Sequence, residues 1–281
     1  MILIADAGSS KIDWIICTSQ KVLEKQTSTG FNPITHHPDI LINTLNEHSN
    51  KKIINPSIKN IFYYGAGCWD AINCQIVYDV LVHFFPNSNI EVESDLLGAA
   101  RASNGNQKGI TCILGTGTNT CLYDGTKIID NIPALGYIIG DEGSGAFLGK
   151  QLLSSYFYRT IPAELNIKLE NKYNISKTEL IKSVYKSPGA NQYLASFVSF
   201  LVAEKEHSFI KKLILEGFDT LIKKQLLKYE YIKQLPVHFI GSIAFFFHQE
   251  LETMLTQHGL KIGKIIRHPI EGLVHFHQKN Y

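Results

Sequence analysis

The sequence predicts an α/β protein built from two halves of like design, and three observations carry that prediction. Two strand–loop–strand units of the same make, ILIADAGSSKIDWIICT at the start and TCILGTGTNTCLY from Thr111, stand roughly a hundred residues apart, the mark of an internal duplication. Strands that end in small-residue loops recur, in FYYGAG and HFIGS, as they do in α/β sheets that gather ligands at their carboxyl ends. At 281 residues the chain is long enough for two domains, each with its own core.

The opening stretch is an apolar strand, a loop AGSSK, and an alternation through Ile12, Trp14 and Ile16 with the period of two that marks a second strand. It therefore reads as a hairpin. It has neither the GxxxxGK[ST] spacing of a Walker loop nor a helix behind it. The tip offers Gly8, Ser9, Ser10 and Lys11, with Asp6 at the strand end. The second unit runs from Ile113 and Leu114 through GTGTN to Cys121, Leu122 and Tyr123. There Gly115 and Gly117 permit positive φ and a close backbone approach to an anion, while Thr116, Thr118 and Asn119 add side-chain donors. Such loops suit phosphate or a sugar hydroxyl; either also serves as an ordinary turn. The pair implies a phosphate held between the halves.

After the third strand, VLEKQTS, the segment TGFNP opens a turn, with Asn32 before Pro33, and leads to a helix with Ile40, Leu41 and Leu45 on one face. IKNIFYYGAGCWD is a strand ending in a glycine loop, followed by a helix through Ile76, Val77, Val80 and Leu81. NIEVESDLLGAARAS gives a short strand, Asp95, and a helix. Asp95 suits a helix N-cap, and it equally suits a general base at a strand end; the two roles are compatible. SNGNQKG, residues 103–109, is the most linker-like segment of the first half, so the domain boundary is expected there. GDEGSG places Asp141 and Glu142 ahead of a helix that begins near Ser144. Residues 150–235 read as mostly helical. Gly241 and Ser242 end the strand VHFIGS and can admit the face of a flat ring; a last strand, KIGKIIRHP, and a closing helix follow.

With 44% hydrophobic and 19% charged residues the chain reads as globular, and a net charge of +2 gives no electrostatic case for nucleic acid. Five cysteines without CxxC or zinc spacing fit a reducing cytoplasm. No signal peptide or membrane-spanning run is read, so no membrane partner is expected. His36, His37 and His83 lack the partners of metal ligands and read as surface or packing residues.

In order, DAGSSK, ESDLLGA, GTGTN, GYIIGDEGSG and FIGSIA resemble the N-acetylglucosamine kinase and BadF/BadG/BcrA/BcrD-type ATPase family, within the actin, heat-shock chaperone and sugar kinase superfamily. The resemblance spans nearly the whole chain. It implies two ribonuclease-H-like domains closing on ATP, residues 1–104 and 105–267, with the closing helix 268–281 packed back on the first. Carried over by motif, Gly8, Ser10 and Lys11 form the first phosphate loop and Gly115, Thr116, Gly117 and Thr118 the second. Asp6 orients magnesium through water, Gly241 and Ser242 lie against the adenosine, Asp95 is the catalytic base, and Asn32, Asn119 and Asp141 hold the amino sugar. Phosphoryl transfer needs mainly alignment and charge neutralisation, which this set supplies.

Two departures stand out. The first loop is poorer in glycine than the family's, and the family's GWG is here Ala134, Leu135 and Gly136, so the aromatic contact to the acetamido group is missing. Tyr137 is adjacent but points to the opposite side if the segment is extended. The expected activity is transfer of the γ-phosphoryl of ATP to the 6-hydroxyl of N-acetylglucosamine or N-acetylmuramic acid, by a homodimer. The alternatives are an ATPase that drives conformational change in a partner, which lacks its cluster cysteines here because none follows Cys121, and a non-catalytic sugar- or nucleotide-binding regulator, against which Asp95 speaks.

Overall fold

A computed structural model of the chain describes residues 1–48 and 53–280; Tyr281, at the end of the closing segment, lies outside them. The chain divides into two compact units, the first made of Met1–Gln107, Tyr123–Ile128 and His268–Tyr281 and the second of Lys108–Leu122 and Ile129–Arg267.

The first unit contains β1 (Ile2–Ala7), β2 (Lys11–Cys17), β3 (Val22–Thr29), α1 (Asp39–His48), β4 (Asn60–Gly65), α2 (Ala71–Phe84), β5 (Asn89–Ser94), α3 (Asp95–Asn104) and α13 (Ile270–Asn280). Its sheet runs β3-β2-β1-β4-β5. The β1–β2–β3 meander is antiparallel, as the hairpin reading expects, and β4 and β5 add in parallel. Because alternate residues of a strand face opposite sides, β1 feeds two cores. Leu3, Ala5 and Ala7 pack with Leu41 and Leu45 of α1 and Val77, Val80 and Leu81 of α2. Ile2 and Ile4 pack with Ala102 of α3 and Ile270, Leu273 and Val274 of α13. A central strand covered on both faces is why ILIA is an unbroken apolar run.

A partly buried polar chain ties α13 to this sheet. Glu91 accepts from Arg101 Nη1 at 2.5 Å, the same nitrogen donates to the Tyr64 hydroxyl at 2.7 Å, and that hydroxyl lies 2.8 Å from His277 Nε2. The imidazole stacks on Phe62 with centroids 3.8 Å apart. Burial, helped by the Arg101 charge, pushes the His277 pKa from 6.5 down to about 3, so the ring is neutral. The unfolded chain takes up a proton as pH falls through 6.5 and the folded chain does not until about 3. His277 therefore contributes stability that is full above 6.5 and lost on acidification. The raised carboxyls of Asp6 and Asp95 act in the opposite sense over an overlapping range, so the test is a difference. Denaturant titrations should show the wild type's advantage over His277→Gln narrowing as pH falls from 6.5 towards 4; an advantage constant with pH would contradict the assignment.

The second unit contains β6 (Gly109–Leu114), β7 (Thr118–Tyr123), β8 (Ile128–Asp130), α4 (Gly136–Ile139), α5 (Gly145–Phe157), α6 (Ala163–Lys172), α7 (Lys177–Ile181), α8 (Ala190–Ser196), α9 (Val198–Ala203), α10 (Ser208–Lys224), β9 (Pro236–Ile240), α11 (Ser242–Phe246), α12 (His248–Gln257) and β10 (Lys261–Ile266). Its sheet runs β8-β7-β6-β9-β10, the strand order of the first unit repeated. β9 lies parallel to both β6 and β10, and a three-residue link joins β6 to its neighbour β7. One core, from Ile110 and Leu114 through Leu148, Leu152, Phe200, Phe218 and Phe239 to Leu255, holds the sheet and the helices together.

Three local readings need correction. Ser103 and Asn104, expected in a linker, are the buried last turn of α3, where Ser103 Oγ donates to the Ala99 carbonyl at 2.8 Å. The segment before GDEGS is not extended: residues 136–139 form a helical turn, so the side-to-side alternation assumed for Tyr137 does not apply. Tyr137 packs against the second unit's core, while Leu135, Ile138 and Ile139 are exposed. The segment AFFFHQELETMLTQHG, whose sequence reads as one helix, is two, α11 and α12, parted at Phe247.

Candidate active site

In the first unit the register aligns Ala7 of β1 with Gly65 of β4 and Gly65 with Ser94 of β5. Three parallel strands therefore end together, and the Gly8–Ser10 tip, the loop from Ala66 and residue Asp95 emerge at one sheet edge. The tip is closed by Gly8 N–H donating to the Lys11 carbonyl at 2.9 Å. Lys11 Nζ meets Asp13 at 2.5 Å, and Asp13 stands opposite Asp6 across the β1–β2 ladder.

Asp95 is not the cap of α3. That position belongs to Ser94, whose hydroxyl accepts from Leu97 N–H at 3.2 Å, and Asp95 is the first helical residue. The sequence offers two capping residues side by side; the helix uses the serine, which leaves the aspartate free for other work. Burial raises the Asp95 pKa from 3.8 to about 6, against the pull of the Leu96 and Asp95 backbone amides. Asp6 is pushed further, to about 7, first by burial and then by the charges of Asp95 and Asp13, with Lys11 opposing. These acids share one electrostatic environment. A carboxyl whose ionisation is opposed by neighbouring carboxylates is a good partner for a cation. Among the described residues no group of three His, Cys, Asp or Glu side chains could hold a metal ion directly.

Asn32 keeps its turn role and has a second one. Its Oδ1 accepts from Ile34 N–H at 3.0 Å, and its Nδ2 donates to Ser9 Oγ at 3.0 Å, linking the turn to the loop tip. Beneath that tip lies Gly30, which sequence reasoning passed over: a Cβ there would fall on Lys11 N, the Ser10 carbonyl carbon and the Gly8 oxygen. Only the TG dipeptide before Phe31 hinted at it.

In the second unit the Gly115–Gly117 tip sits at the carboxyl end of β6, with Ile113, Ile240 and Ile266 aligned across β6, β9 and β10. Gly115 N–H donates to the Gly117 carbonyl at 3.0 Å, and the tip's own carbonyls are taken by the start of α5, Gly145 N–H to Gly115 at 2.8 Å and Ala146 N–H to Thr116 at 3.0 Å. Asp141 is buried in the left-handed region at φ 57°, and its Oδ1 accepts from Thr118 N–H at 3.2 Å. A Cβ on Gly117 would meet that carboxylate. Asp141 thus braces the second loop, and burial raises its pKa. Glu142 is occupied by Lys224 and Gln225, each at 3.0 Å; burial alone would raise its pKa, but hydrogen bonds from its own backbone N–H, Lys224 and Gln225 outweigh it and lower the value. Asn119 Oδ1 accepts from Thr120 N–H and Asn131 Nδ2. Gly241 has φ 127°, and a Cβ there would strike the Leu114 carbonyl, so β9 can meet the loop only through glycine. Ser242 opens α11 beside it. Arg267, which no motif marked, stacks over Phe245 and Phe246 at 5.5 and 5.2 Å.

A sheet order used twice, each copy with a glycine hairpin at its first turn, and an uncapped acid at the first copy's carboxyl edge define a class: the actin-like fold of ATPases and sugar kinases. A crystal structure of a proposed N-acetylglucosamine kinase from Porphyromonas gingivalis superimposes with a TM-score of 0.95 at 37% identity, covering 100% of this chain and 99% of that one. The chain belongs to the same family as that protein, the N-acetylglucosamine kinase family. More distant likenesses show the fold alone. A proposed N-acetylglucosamine kinase from Chromobacterium violaceum gives a TM-score of 0.75 at 14% identity over 98% of both chains. A glucokinase of the ROK family from Streptomyces griseus, in complex with glucose and AMPPNP, gives 0.58 at 13% over 98% of this chain and 97% of that one. Neither a protein-family model nor a curated protein sequence matches the chain. No helix among the described residues is long and apolar enough to cross a membrane.

Proposed function

We propose that this protein is an ATP-dependent kinase that phosphorylates the 6-hydroxyl of an N-acetylated hexosamine, N-acetylglucosamine or N-acetylmuramic acid. The observation that carries this reading is Asp95, a carboxylate relieved of capping by Ser94 and held up to about 6 at the carboxyl edge of the first sheet. A base of that pKa can take the hydroxyl proton at neutral pH as the oxygen attacks phosphorus. Membership in the same family as the Porphyromonas protein, a proposed N-acetylglucosamine kinase, supports the substrate class.

In this reading Gly8, Ser10 and Lys11 take phosphate oxygens at one loop and Gly115, Thr116, Gly117 and Thr118 at the other, with backbone N–H groups and hydroxyls supplying the donors. Gly241 and Ser242 take the adenosine, and Asn32, Asn119 and Asp141 the sugar; Asp141 serves by fixing the loop as well. Asp6, its charge opposed by Asp13 and Asp95, fits a magnesium ion held through water and phosphate oxygens. When bound, that ion neutralises charge on the transferring group. The reading includes a first domain of 1–104 with helix 268–281, a second of 105–267, a homodimer and a cytoplasmic setting.

The test is ATP consumption by the purified full-length protein across a panel of N-acetylglucosamine, N-acetylmuramic acid, N-acetylmannosamine and glucose. Turnover dependent on an N-acetylated hexosamine, with a 6-phosphate product, is the expected outcome. Hydrolysis indifferent to every sugar would refute it.

A further inference from the structure

Resting on the amino-sugar reading, we propose that Trp69 is the stacking platform for the acceptor sugar, its indole lying flat against the apolar C–H face of the pyranose ring. Two tryptophans occur in the chain, and they stand in opposite environments. Trp14 is 1% exposed and donates through Nε1 to Ser28 Oγ at 2.8 Å, whereas Trp69 is 72% exposed. An exposed indole on a loose loop would need no explanation. This loop is held at both ends. Ala66 N–H donates to the Ala7 carbonyl at 2.7 Å, Cys68 N–H donates to the Gly65 carbonyl at 3.1 Å, and Asp70 caps α2 by accepting from Asn73 N–H at 2.8 Å.

Its place is equally defined. The loop leaves β4 at the edge where Ala7, Gly65 and Ser94 align, so it stands between the Gly8 tip and Asp95 in the first sheet's strand order. Gly67, at φ 84°, packs so closely on Asn32 Oδ1 that a Cβ would overlap it. Cys68, the residue before the indole, lies within electrostatic reach of Asp95. The loop that carries Trp69 therefore touches Asn32, proposed to hold the sugar, through Gly67, and follows the strand next to the one that leads into Asp95, proposed to deprotonate it. Ile72, 77% exposed in the first turn of α2, is the next exposed large apolar residue along the chain.

The chemistry fits a pyranose better than a nucleotide tail. A hexopyranose of the gluco series carries its hydroxyls around the rim and presents C–H bonds on its faces. A large rigid aromatic covers such a face at little entropic cost, while polar groups at the edge take the rim.

The experiment uses the tryptophan emission of the full-length protein, titrated with N-acetylglucosamine without nucleotide. The expected result is a saturable blue shift and protection from acrylamide quenching, both absent in Trp69→Phe because Trp14 is already shielded. In steady state, Trp69→Ala should raise the sugar KM about tenfold or more with kcat and the ATP KM within about twofold, and Trp69→Phe should recover most of the loss. A sugar-dependent emission change that persists in Trp69→Phe, or an unaltered sugar KM in Trp69→Ala, would overturn the assignment. So would an emission shift with protein concentration in the absence of sugar, which would give this face to a second copy of the chain. Sugar-dependent ATP turnover without any emission response overturns this inference alone; turnover indifferent to every amino sugar removes the kinase reading and this inference with it.

Discussion

Asp95→Asn should lower kcat by about 10² to 10⁴ while leaving the affinity for ATP within about twofold, because general-base catalysis contributes on that scale and the change is nearly isosteric. Few substitutions at this site separate chemistry from folding so cleanly. The amide keeps the shape and can still accept from the first-turn N–H groups, and Ser94, not the substituted residue, caps the helix. Removing a half-buried carboxyl whose ionisation is opposed should leave the melting temperature unchanged or higher. The decisive measurement pairs kcat for the amino sugar with equilibrium binding of a nucleotide analogue. Undiminished turnover would take Asp95 out of the mechanism. Loss of nucleotide binding in parallel with kcat would recast it as a structural acid.

Gly30→Ala is expected to have the second-largest effect, and at a residue with no functional group. The added methyl would lie on three backbone atoms of the first loop, at Gly8, Ser10 and Lys11, none of which can swing aside as a side chain tip would. The loop must move or the substitution must unfold it. Forced insertions of this kind cost about 1–3 kcal/mol, and a displaced loop should raise the ATP KM at least about tenfold, since phosphate positioning tolerates little error. Gly105→Ala is the matching control: it has left-handed φ 62° with open space around it, so it should lose stability from strain alone and leave the KM unaltered. Equal KM values for the two variants would show that Gly30 does not support a nucleotide loop.

What the chain reveals unaided follows the range of the interactions involved. Both hairpins, the order of strands and helices, and the small-residue loops at strand ends were legible because each depends on neighbours in sequence: alternation through Ile12, Trp14 and Ile16, or glycines at 115 and 117. The roles within those loops were legible only in part. Asp95 and Ser94 are both good capping residues, and nothing local says which the helix takes. The brace from Asp141 to Thr118 spans 23 residues, and the ion pair from Lys224 to Glu142 spans 82. Gly30 and Gly241 matter through backbone that other strands bring against them. The helical turn at 136–139 has too few residues to show a period, so nothing local excludes the extended conformation that would send Tyr137 to the opposite side. Trp69 carried no motif, and its exposure is visible only in three dimensions.

The return of α13 to the first unit has a consequence for how the protein is made. One face of the first sheet is closed by Ile270, Leu273 and Val274, and its buried hydroxyl at Tyr64 finds the imidazole of residue 277. Synthesis runs from the amino end, so β1, β4 and β5 leave the ribosome long before the helix that covers them. Until it emerges, Ile2, Ile4 and Phe62 have only α3 to cover them, whereas the second unit's residues, which end at Arg267, are all made before α13 begins. The half begun first is therefore the half whose core is completed last in synthesis.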